Sequence, residues 1–360
     1  MQQELEPLVD PVALERFLVE RLPDVGEDIE PLAGRGARGP GSIAIERHMA
    51  GHSNETFFIR MGKREWVLRR PPRGAFLPTA HDVGREYRVL SALEGTAVRA
   101  PRPILMCEET SVIGAPFYLM ERVDGVVIRN ALPPAFASNV GARAALGMEL
   151  VDALAELHVV DWEAVGLKGF GKPEGYLERQ IRRWKGQLAL TEPLTRPLPG
   201  LHRVARWLEE HIPSTGEATI VHGDYKLDNV AFSPETPARL VAIFDWEMST
   251  LGDPLADVGW MLSFWREAGD PRELIMDEQT VTGLAGFQPR DELVARYQER
   301  SGRQVHDLTF YVVLAVWKLA VLLEGSYARH LAGLTDDPFF AHLRDGVPAL
   351  ESMAVKLARS

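Results

Sequence analysis

The spacing of hydrophobic and polar residues changes along the chain, and in the first third it indicates strands. Short runs rich in Ile, Phe, Thr and Val are separated by turns that contain glycine, which is typical of antiparallel strands. One segment between these runs spaces its apolar residues as a helix does. The predicted strands are 43–46, 55–60, 65–70, 104–108 and 116–123, and the predicted helix is 81–93. We therefore expect a small antiparallel sheet with one helix packed on it.

Beyond Gly125 the spacing becomes helical. The longest amphipathic run, 142–157, places its leucines on one stripe. Other predicted helices are 184–190, 204–211, one that begins at Asp253 and Pro254, and 308–323. The last run is apolar, but it is shorter than the roughly 20 residues that a membrane span needs, and it contains Lys318. We predict a buried core helix there, and no membrane partner.

These patterns predict an α+β protein with two lobes. The 360 residues suffice for two domains at about 150 residues each. The predicted segments are an N-terminal helix and flexible loop at 1–40, a small sheet-containing lobe at 41–123, and a larger helical lobe at 124–360. Residues 34–39 match a Gly-x-Gly-x-x-Gly pattern, but no strand precedes them, so a flexible loop is predicted.

Composition and charge exclude some classes of function. The 40 Lys and Arg residues against 51 Asp and Glu residues give a formal net charge of −11, which disfavours nucleic acid as a partner. The single cysteine, Cys107, cannot form an internal disulfide. The amino terminus is acidic where a signal peptide would be basic. We therefore predict a cytoplasmic protein with no nucleic-acid partner.

One segment, 222–229, combines His, Gly, Asp, Lys and Asn residues and precedes a predicted hairpin. If 230–232 and 240–244 pair as antiparallel strands, Asn229 and Asp245 lie opposite each other at the open end of the hairpin. An amide oxygen and a carboxylate suit Mg²⁺, which leaves its other positions to water and substrate phosphates. Asp224, a few residues upstream, is then available as a base for a hydroxyl nucleophile.

This set of residues is the one that kinases use for phosphoryl transfer. An Asp accepts the proton of the attacking hydroxyl, an Asn and a second Asp hold magnesium, and a Lys two positions after the base approaches the transferring phosphate. Asp224, Asn229, Asp245 and Lys226 occupy these places. A P-loop string and a zincin string are both missing from the sequence, so these alternatives have no support.

The string 222–229, with Asp-Trp-Glu at 245–247 and Gly-Asp-Pro-Leu-Ala-Asp at 252–257, resembles the aminoglycoside phosphotransferase and choline kinase-like superfamily. It is most similar to the branch that resembles the phosphotransferase domain fused to acyl-CoA dehydrogenases. The resemblance implies a bilobal protein-kinase-like fold that binds ATP and Mg²⁺. It also implies Asp224 and Lys226 as catalytic residues, and Asn229 and Asp245 as metal ligands.

The resemblance also assigns nucleotide-binding residues to the first lobe. The turn 50–54, with Gly51 and Ser53, would cover the phosphates. Arg69 stands where the family usually has a phosphate-binding Lys, and Glu86 would be its ion-pair partner. The strand 120–123 would receive the adenine through the backbone. The residues assigned to nucleotide binding are Gly51, Ser53, Arg69, Glu86, Glu121 and Val123.

The implied function is an ATP- and Mg²⁺-dependent transfer of phosphate to a hydroxyl of a small molecule. The acceptor is either a metabolite, hydroxyacyl compounds among them, or an aminoglycoside. The alternative is a nucleotide-binding pseudokinase or sensor, because Arg69 replaces the usual Lys.

Other polar residues near these motifs have a structural interpretation. His222 is predicted to bond the backbone, and Asp253 and Asp257 to cap or brace the loop. For Glu247, contact with a metal ligand or with a second metal stays open. The tryptophans at 260, 265 and 317 are predicted to be core residues.

Overall fold

The computed structural model describes residues 8–22, 43–48, 54–72, 82–270, 281–334 and 338–359. The chain divides into two compact units, Met1–Gly95 with Ala100–Asp124, and Thr96–Arg99 with Gly125–Ser360. The flexible loop predicted at 34–39 lies outside the described residues, and so do Gly51 and Ser53, which were predicted to cover the phosphates.

The first unit contains a five-stranded antiparallel sheet in the order β1-β2-β3-β5-β4. Its strands are β1 Ile43–His48, β2 Glu55–Met61, β3 Arg64–Arg70, β4 Pro103–Cys107 and β5 Phe117–Glu121, and its helices are α1 Pro11–Arg21, α2 Val83–Leu93 and α3 Thr110–Ile113. Helices α1 and α3 contact each other, and α2 packs on β4 and β5. The predicted strands and the predicted helix are confirmed.

Helix α2 turns one charged residue towards the core of the first unit. Asp82 caps its start, because Asp82 Oδ1 accepts from the N–H of Arg85 at 3.1 Å. Its buried residues are Val83, Glu86, Val89, Leu90 and Leu93. Glu86 is 0 % exposed, and a buried carboxylate requires partners of its own.

The sequence predicts a turn that contains glycine between β4 and β5, and the structure has the short helix α3 there instead. Helix α3 ends at Gly114, which has a φ of +80° and donates its N–H to the Thr110 carbonyl at 2.8 Å. A glycine in the left-handed conformation is a common helix end. The glycine in the sequence indicated that the chain turns here, but the pattern gave no sign of the single helical turn before it.

The second unit is mostly helical. Its helices are α4 Pro134–Ala137, α5 Val140–His158, α6 Tyr176–Thr191, α7 Pro199–Glu210, α8 Leu255–Phe264, α9 Arg290–Ser301, α10 Leu308–Leu331 and α11 Phe339–Leu357. Helix α6 begins eight residues before the predicted start at 184, and the buried residues Tyr176, Leu177 and Ile181 continue its apolar face into these first turns. Trp265 follows α8 in an extended conformation and is buried, as predicted for a core residue.

Helix α10 is long and apolar enough to cross a membrane by length and composition, and 61 % of its most apolar window is buried inside the protein. It packs against α6, α7, α8 and α11. These contacts are typical of a core helix, as predicted. Lys318 interrupts its apolar residues and is partly buried.

Two small antiparallel sheets carry the segment that the motifs identified. Strands β7 Thr219–Val221 and β10 Thr250–Gly252 form one, and β6 Val126–Val127, β8 Val230–Phe232 and β9 Leu240–Ile243 form the other. The predicted hairpin is thus confirmed as β8 and β9. Its register pairs Val230 with Ile243 and shifts at Phe232, which pairs with Leu240.

Candidate active site

The catalytic segment predicted from the sequence lies between β7 and β10. Because Val221 pairs with Thr250, the chain leaves this small sheet and returns to it at the same end. The side chain of His222 is buried. Its Nε2 donates to the Phe244 carbonyl at 2.8 Å, and its Nδ1 accepts from the N–H of Asp224 at 3.2 Å. His222 therefore bonds the backbone, as predicted, and the neutral Nε2–H form satisfies both bonds.

A buried carboxylate from α8 fixes the backbone that precedes the predicted base. Asp257 is 1 % exposed and accepts from the N–H of His222 at 2.6 Å and of Gly223 at 2.8 Å. It also lies 3.3 Å from His158 Nε2. Gly223 has a φ of +85°, and a Cβ there would lie 2.7 Å from the Met248 carbonyl oxygen. The position therefore requires glycine.

The carboxylate of Asp224 is held by donors on both of its oxygens. Trp260 Nε1 donates to Oδ1 at 2.8 Å, and Asn229 Nδ2 donates to Oδ2 at 2.7 Å. Lys226 Nζ lies 3.1 Å from Oδ1 and 3.0 Å from Oδ2. Asp224 and Lys226 are 17 % and 18 % exposed, so solvent and ligands reach both side chains. The structure brings together three of the residues that the sequence singled out.

Lys226 keeps its charge in this position. Burial alone would lower its pKa, but the adjacent Asp224 carboxylate more than offsets that effect, and the pKa is raised above its ordinary value. Lys226 Nζ also lies 5.2 Å from the centroid of the Phe264 ring. The site thus holds a permanent cation beside the carboxylate.

Asn229 and Asp245 do not lie opposite each other as predicted. Asn229 ends a short 3₁₀ turn, Leu227–Asn229, and its carbonyl accepts from the N–H of Phe244 at 2.8 Å. Asn229 therefore lies opposite Phe244, and Asp245 is one residue further along the chain. Its backbone has a φ of +66° and a ψ of +62°, a left-handed conformation that ends the extended strand. A non-glycine residue held in this region often marks a functional site.

The donor groups at this end of the hairpin fit Mg²⁺. Asn229 directs its Nδ2 to Asp224, so Oδ1 is the amide atom that can face a cation. Among the residues that the structure describes, no group of three or more His, Cys, Asp or Glu side chains could hold a metal ion. One carboxylate and one amide oxygen, completed by water and substrate phosphates, are an all-oxygen donor set that suits Mg²⁺ and other hard cations.

Asp253 has a structural position, as predicted. Its Oδ1 accepts from the N–H of Leu255 at 2.9 Å, which caps α8, and its Oδ2 accepts from the Tyr311 hydroxyl at 2.8 Å. Glu247 lies in the 3₁₀ turn Trp246–Met248 that follows Asp245. Its part in the site stays a prediction.

In the first unit, the structure pairs Arg69 with Glu86. Arg69 Nη1 lies 3.2 Å from Glu86 Oε2, and the Tyr118 hydroxyl donates to the same oxygen at 2.9 Å. Asn54 Nδ2 donates to Glu86 Oε1. Both members of the ion pair are less than 10 % exposed. Glu86 is therefore fully bonded within the sheet unit and orients the guanidinium of Arg69.

The two remaining residues assigned to the nucleotide lie at the end of β5. The N–H of Glu121 donates to the Arg102 carbonyl at 2.9 Å, and its carboxylate accepts from the N–H of Arg102 at 2.9 Å. The side chain of Glu121 is thus engaged within its own unit. Val123 lies two residues beyond the strand and is partly buried.

Sequence reasoning missed two residues of the site. Trp260 was assigned to the core, and it is 3 % exposed, but its indole N–H bonds the carboxylate of Asp224. Lys318 was noted only as a charge within an apolar run, and its Nζ donates to the Gly223 carbonyl at 2.6 Å. That lone charge was the available signal, because a lysine in a core helix requires a partner.

The His158 and Asp257 pair predicts how stability depends on pH. Burial lowers the pKa of His158, and its bond to Asp257 offsets this only in part. Burial would raise the pKa of Asp257, but the bond from His158 and the N–H of Gly223 hold it below its ordinary value. Both groups bind fewer protons in the folded than in the unfolded chain. Their stabilisation is therefore complete above the unfolded pKa values, about 6.5 and 3.9, and is lost as the pH falls.

We expect the free energy of unfolding to decrease from about pH 6.5 downwards, by about 1.4 kcal/mol per pH unit for each proton taken up. Urea denaturation at a series of pH values measures this slope. His158→Gln should flatten the slope between about pH 6.5 and 5, whereas His211→Gln, which changes an exposed histidine, should leave it unchanged. An equal slope in both variants would show that His158 is not the titrating group.

Comparisons with known proteins relate this arrangement to one family. A family model described as Phosphotransferase enzyme family matches residues 44–304. Acyl-CoA dehydrogenase family member 10 of Mus musculus is 36 % identical over 307 residues, 85 % of this chain and 28 % of that protein. Member 11 of Gallus gallus is 34 % identical over 331 residues, 90 % of this chain and 40 % of that protein. The chain spans well under half the length of these curated relatives.

Solved structures are similar over nearly the whole chain. A Ralstonia eutropha protein assigned as an aminoglycoside phosphotransferase has a TM-score of 0.76 and 32 % identity, with 97 % of this chain and 98 % of that chain covered. Choline kinase of Cryptosporidium parvum has a TM-score of 0.55 at 13 % identity, with 92 % and 96 % covered. The second likeness concerns the fold alone. The predicted α+β, protein-kinase-like fold is confirmed.

Proposed function

Because the chain belongs to the phosphotransferase enzyme family, we propose that it transfers the γ-phosphoryl group of ATP to a hydroxyl of a small molecule, with Mg²⁺ as the metal. The observation that carries the proposal is the carboxylate of Asp224, held by Lys226, Asn229 and Trp260 on a loop that is fixed through its backbone. The resemblance to the phosphotransferase domain found with acyl-CoA dehydrogenases is confirmed.

In this proposal Asp224 orients the acceptor hydroxyl and accepts its proton as the new O–P bond forms. The bond between the γ-phosphorus and the bridging oxygen breaks, and ADP is the leaving group. Lys226, which stays charged, lies 3.0 Å from Asp224 Oδ2 and can offset negative charge on the transferring oxygens. Asn229 and Asp245 would hold Mg²⁺, which when bound neutralises charge on the phosphates. Most of the rate enhancement then comes from positioning and electrostatics.

The acceptor class is part of the proposal. The relatives named acyl-CoA dehydrogenase family members 10 and 11 favour a metabolite, hydroxyacyl compounds among them, over an aminoglycoside. The proposed compartment remains the cytoplasm.

The proposal is tested by ADP release from MgATP with a panel of hydroxyl compounds. The panel holds glycerol, β-hydroxybutyrate, β-hydroxybutyryl-CoA, choline and kanamycin, so that neutral, anionic and cationic acceptors are each represented. The proposal predicts ADP release above the level of the Asp224→Asn protein with at least one neutral or anionic acceptor. ADP release with kanamycin alone would contradict the proposed acceptor class, but it would still support the proposed transferase activity.

A second candidate, a nucleotide-binding sensor without turnover, is favoured by Arg69 in the place of the usual Lys. A thermal shift with ATP, measured with and without Mg²⁺, separates the two candidates when combined with the panel. Stabilisation by MgATP without ADP release on any acceptor would support the sensor. Stabilisation with release would support the transferase.

Arg69 gives a prediction within this proposal. We expect Arg69→Met to weaken MgATP binding about tenfold or more, because a lost hydrogen bond to a charged group costs about 1.5–3 kcal/mol. The affinity of the Arg69→Lys protein for MgATP should lie between those of the unchanged protein and the Arg69→Met protein. Lysine keeps the charge and loses the planar guanidinium. Isothermal titration calorimetry measures both.

The matched control is Arg60→Met, which removes an exposed arginine from the neighbouring strand β2. It should bind MgATP as the unchanged protein does. Equal affinity of the Arg69→Met and Arg60→Met proteins would show that Arg69 does not contact the nucleotide.

A further inference from the structure

Lys318 is a charged residue within α10, a long apolar helix of the second unit. Its Nζ donates to the Gly223 carbonyl at 2.6 Å and lies 4.1 Å from the centroid of the Trp260 ring. The centroid of the Trp184 ring lies 5.8 Å from the same nitrogen. A lysine that leaves bulk water loses hydration, and these contacts return only part of that loss. A core helix would be more stable with an apolar residue here.

The contacts of Lys318 lead to the predicted base by two routes. One runs through the backbone, because Gly223 directly precedes Asp224 in the chain. The other runs through a side chain, because Trp260 Nε1 donates to Asp224 Oδ1 at 2.8 Å. Lys318 thus contacts two of the groups that help to set the position of the carboxylate.

We propose that Lys318 is a positioning residue for phosphoryl transfer, acting on Asp224 through the ring of Trp260 and the carbonyl of Gly223. The proposal rests on the proposed function, because it assumes that Asp224 is the base. The ammonium interacts with the π face of the Trp260 indole, and this interaction orients the indole N–H towards Asp224 Oδ1. It also holds the carbonyl that precedes the base.

Several charged or titratable groups face Lys318. They are Asp224 and Lys226 of the catalytic loop, Asp257 of α8, and Arg183 and Tyr176 of α6. Burial has the largest effect and lowers the pKa of Lys318 to about 8, with the two carboxylates opposing and the two cations reinforcing it. The ammonium therefore loses its proton just above neutral pH, and its attraction to the Trp260 ring is lost with it.

Turnover tests the proposal first. With MgATP and the acceptor panel, Lys318→Met should lower kcat about 10- to 100-fold, the range typical for residues that orient an active group, and leave the KM for ATP unchanged. In the unchanged protein kcat should fall above about pH 8. Lys318→Arg should restore most of the activity at neutral pH and move that fall to higher pH, because arginine keeps its proton.

Trp260→Phe should lower kcat as Lys318→Met does, because phenylalanine keeps a ring and lacks the N–H that bonds Asp224. The matched control is Trp162→Phe, since Trp162 Nε1 donates to the Ala218 carbonyl and not to Asp224. It should leave kcat and its pH profile unchanged.

The indole N–H signals in ¹⁵N NMR give a readout that does not depend on turnover. The Trp260 signal, identified by its loss in the Trp260→Phe protein, should titrate with a midpoint near pH 8. It should not do so in the Lys318→Met protein, and it should move in the Asp224→Asn protein. The Trp162 signal should not titrate in this range.

The outcomes separate the two proposals. A Lys318→Met protein with unchanged kcat and pH profile would overturn the positioning role, while turnover itself would uphold the transferase. A Trp260 signal that does not titrate near pH 8 would also overturn it. If no acceptor supports turnover, the proposed function fails, and the NMR titration alone decides whether Lys318 is coupled to Trp260 and Asp224.

Discussion

Asp224→Asn is expected to lower the kcat of phosphoryl transfer by about 10²- to 10⁴-fold, the range typical for loss of a general base. The amide keeps the shape of the carboxylate but cannot accept the hydroxyl proton. It also removes the negative charge beside Lys226, whose Nζ lies 3.0 Å away. The KM for ATP should change little, because the carboxylate is assigned to the acceptor and not to the nucleotide. Steady-state ADP release at saturating MgATP measures both constants.

The control for this variant is Asp291→Asn, which makes the same change at an exposed position on α9. It should keep the activity of the unchanged protein. Circular dichroism of both proteins checks that the fold is retained. A folded Asp224→Asn protein that transfers phosphate at the normal rate would remove Asp224 from the mechanism.

Asp257→Ala is expected to decrease the free energy of unfolding by about 3 to 5 kcal/mol, because each buried donor left without a partner costs about 1–3 kcal/mol. The carboxylate accepts from the N–H groups of His222 and Gly223 and faces His158 Nε2. Alanine leaves these donors buried without an acceptor. The loop that carries Asp224 should then lose its conformation, so activity should fall as well. Urea denaturation measures the first effect.

Asp291→Ala is the matched control for stability, since it truncates an exposed Asp at the start of a helix. It should cost well under 1 kcal/mol. If Asp257→Ala were as stable as this control, the loop would have to be held by its strands alone. Retained activity in that variant would lead to the same conclusion.

The chemistry of the second unit could be predicted because its residues are close in sequence. Asp224, Lys226 and Asn229 lie within six positions, and any compact loop brings them together. The position of Asp245 relative to Asn229 was harder to predict. The pairing shifts within the hairpin, and the chain turns at Asp245 through a left-handed conformation that favours glycine. Neither feature has a signal in the residue pattern.

Trp260 and Lys318 could not be assigned because their contacts cross long stretches of sequence. Each lies on a helix whose apolar spacing predicts burial, and burial is what the structure shows for Trp260. Only packing of α8 and α10 beside the loop reveals that the indole N–H and the ammonium face polar groups. In the first unit, the sheet and its helix were predictable because alternation and helical spacing are local.

The central claim is that this chain moves phosphate from ATP to a small-molecule hydroxyl. Incubation with γ-labelled ATP, Mg²⁺ and the acceptor panel, followed by separation of phosphate esters from inorganic phosphate, tests it most directly. We expect label in an ester of a neutral or anionic acceptor, and none above background with the Asp224→Asn protein. Label that stays in ATP, or that enters inorganic phosphate equally with both proteins, would contradict it.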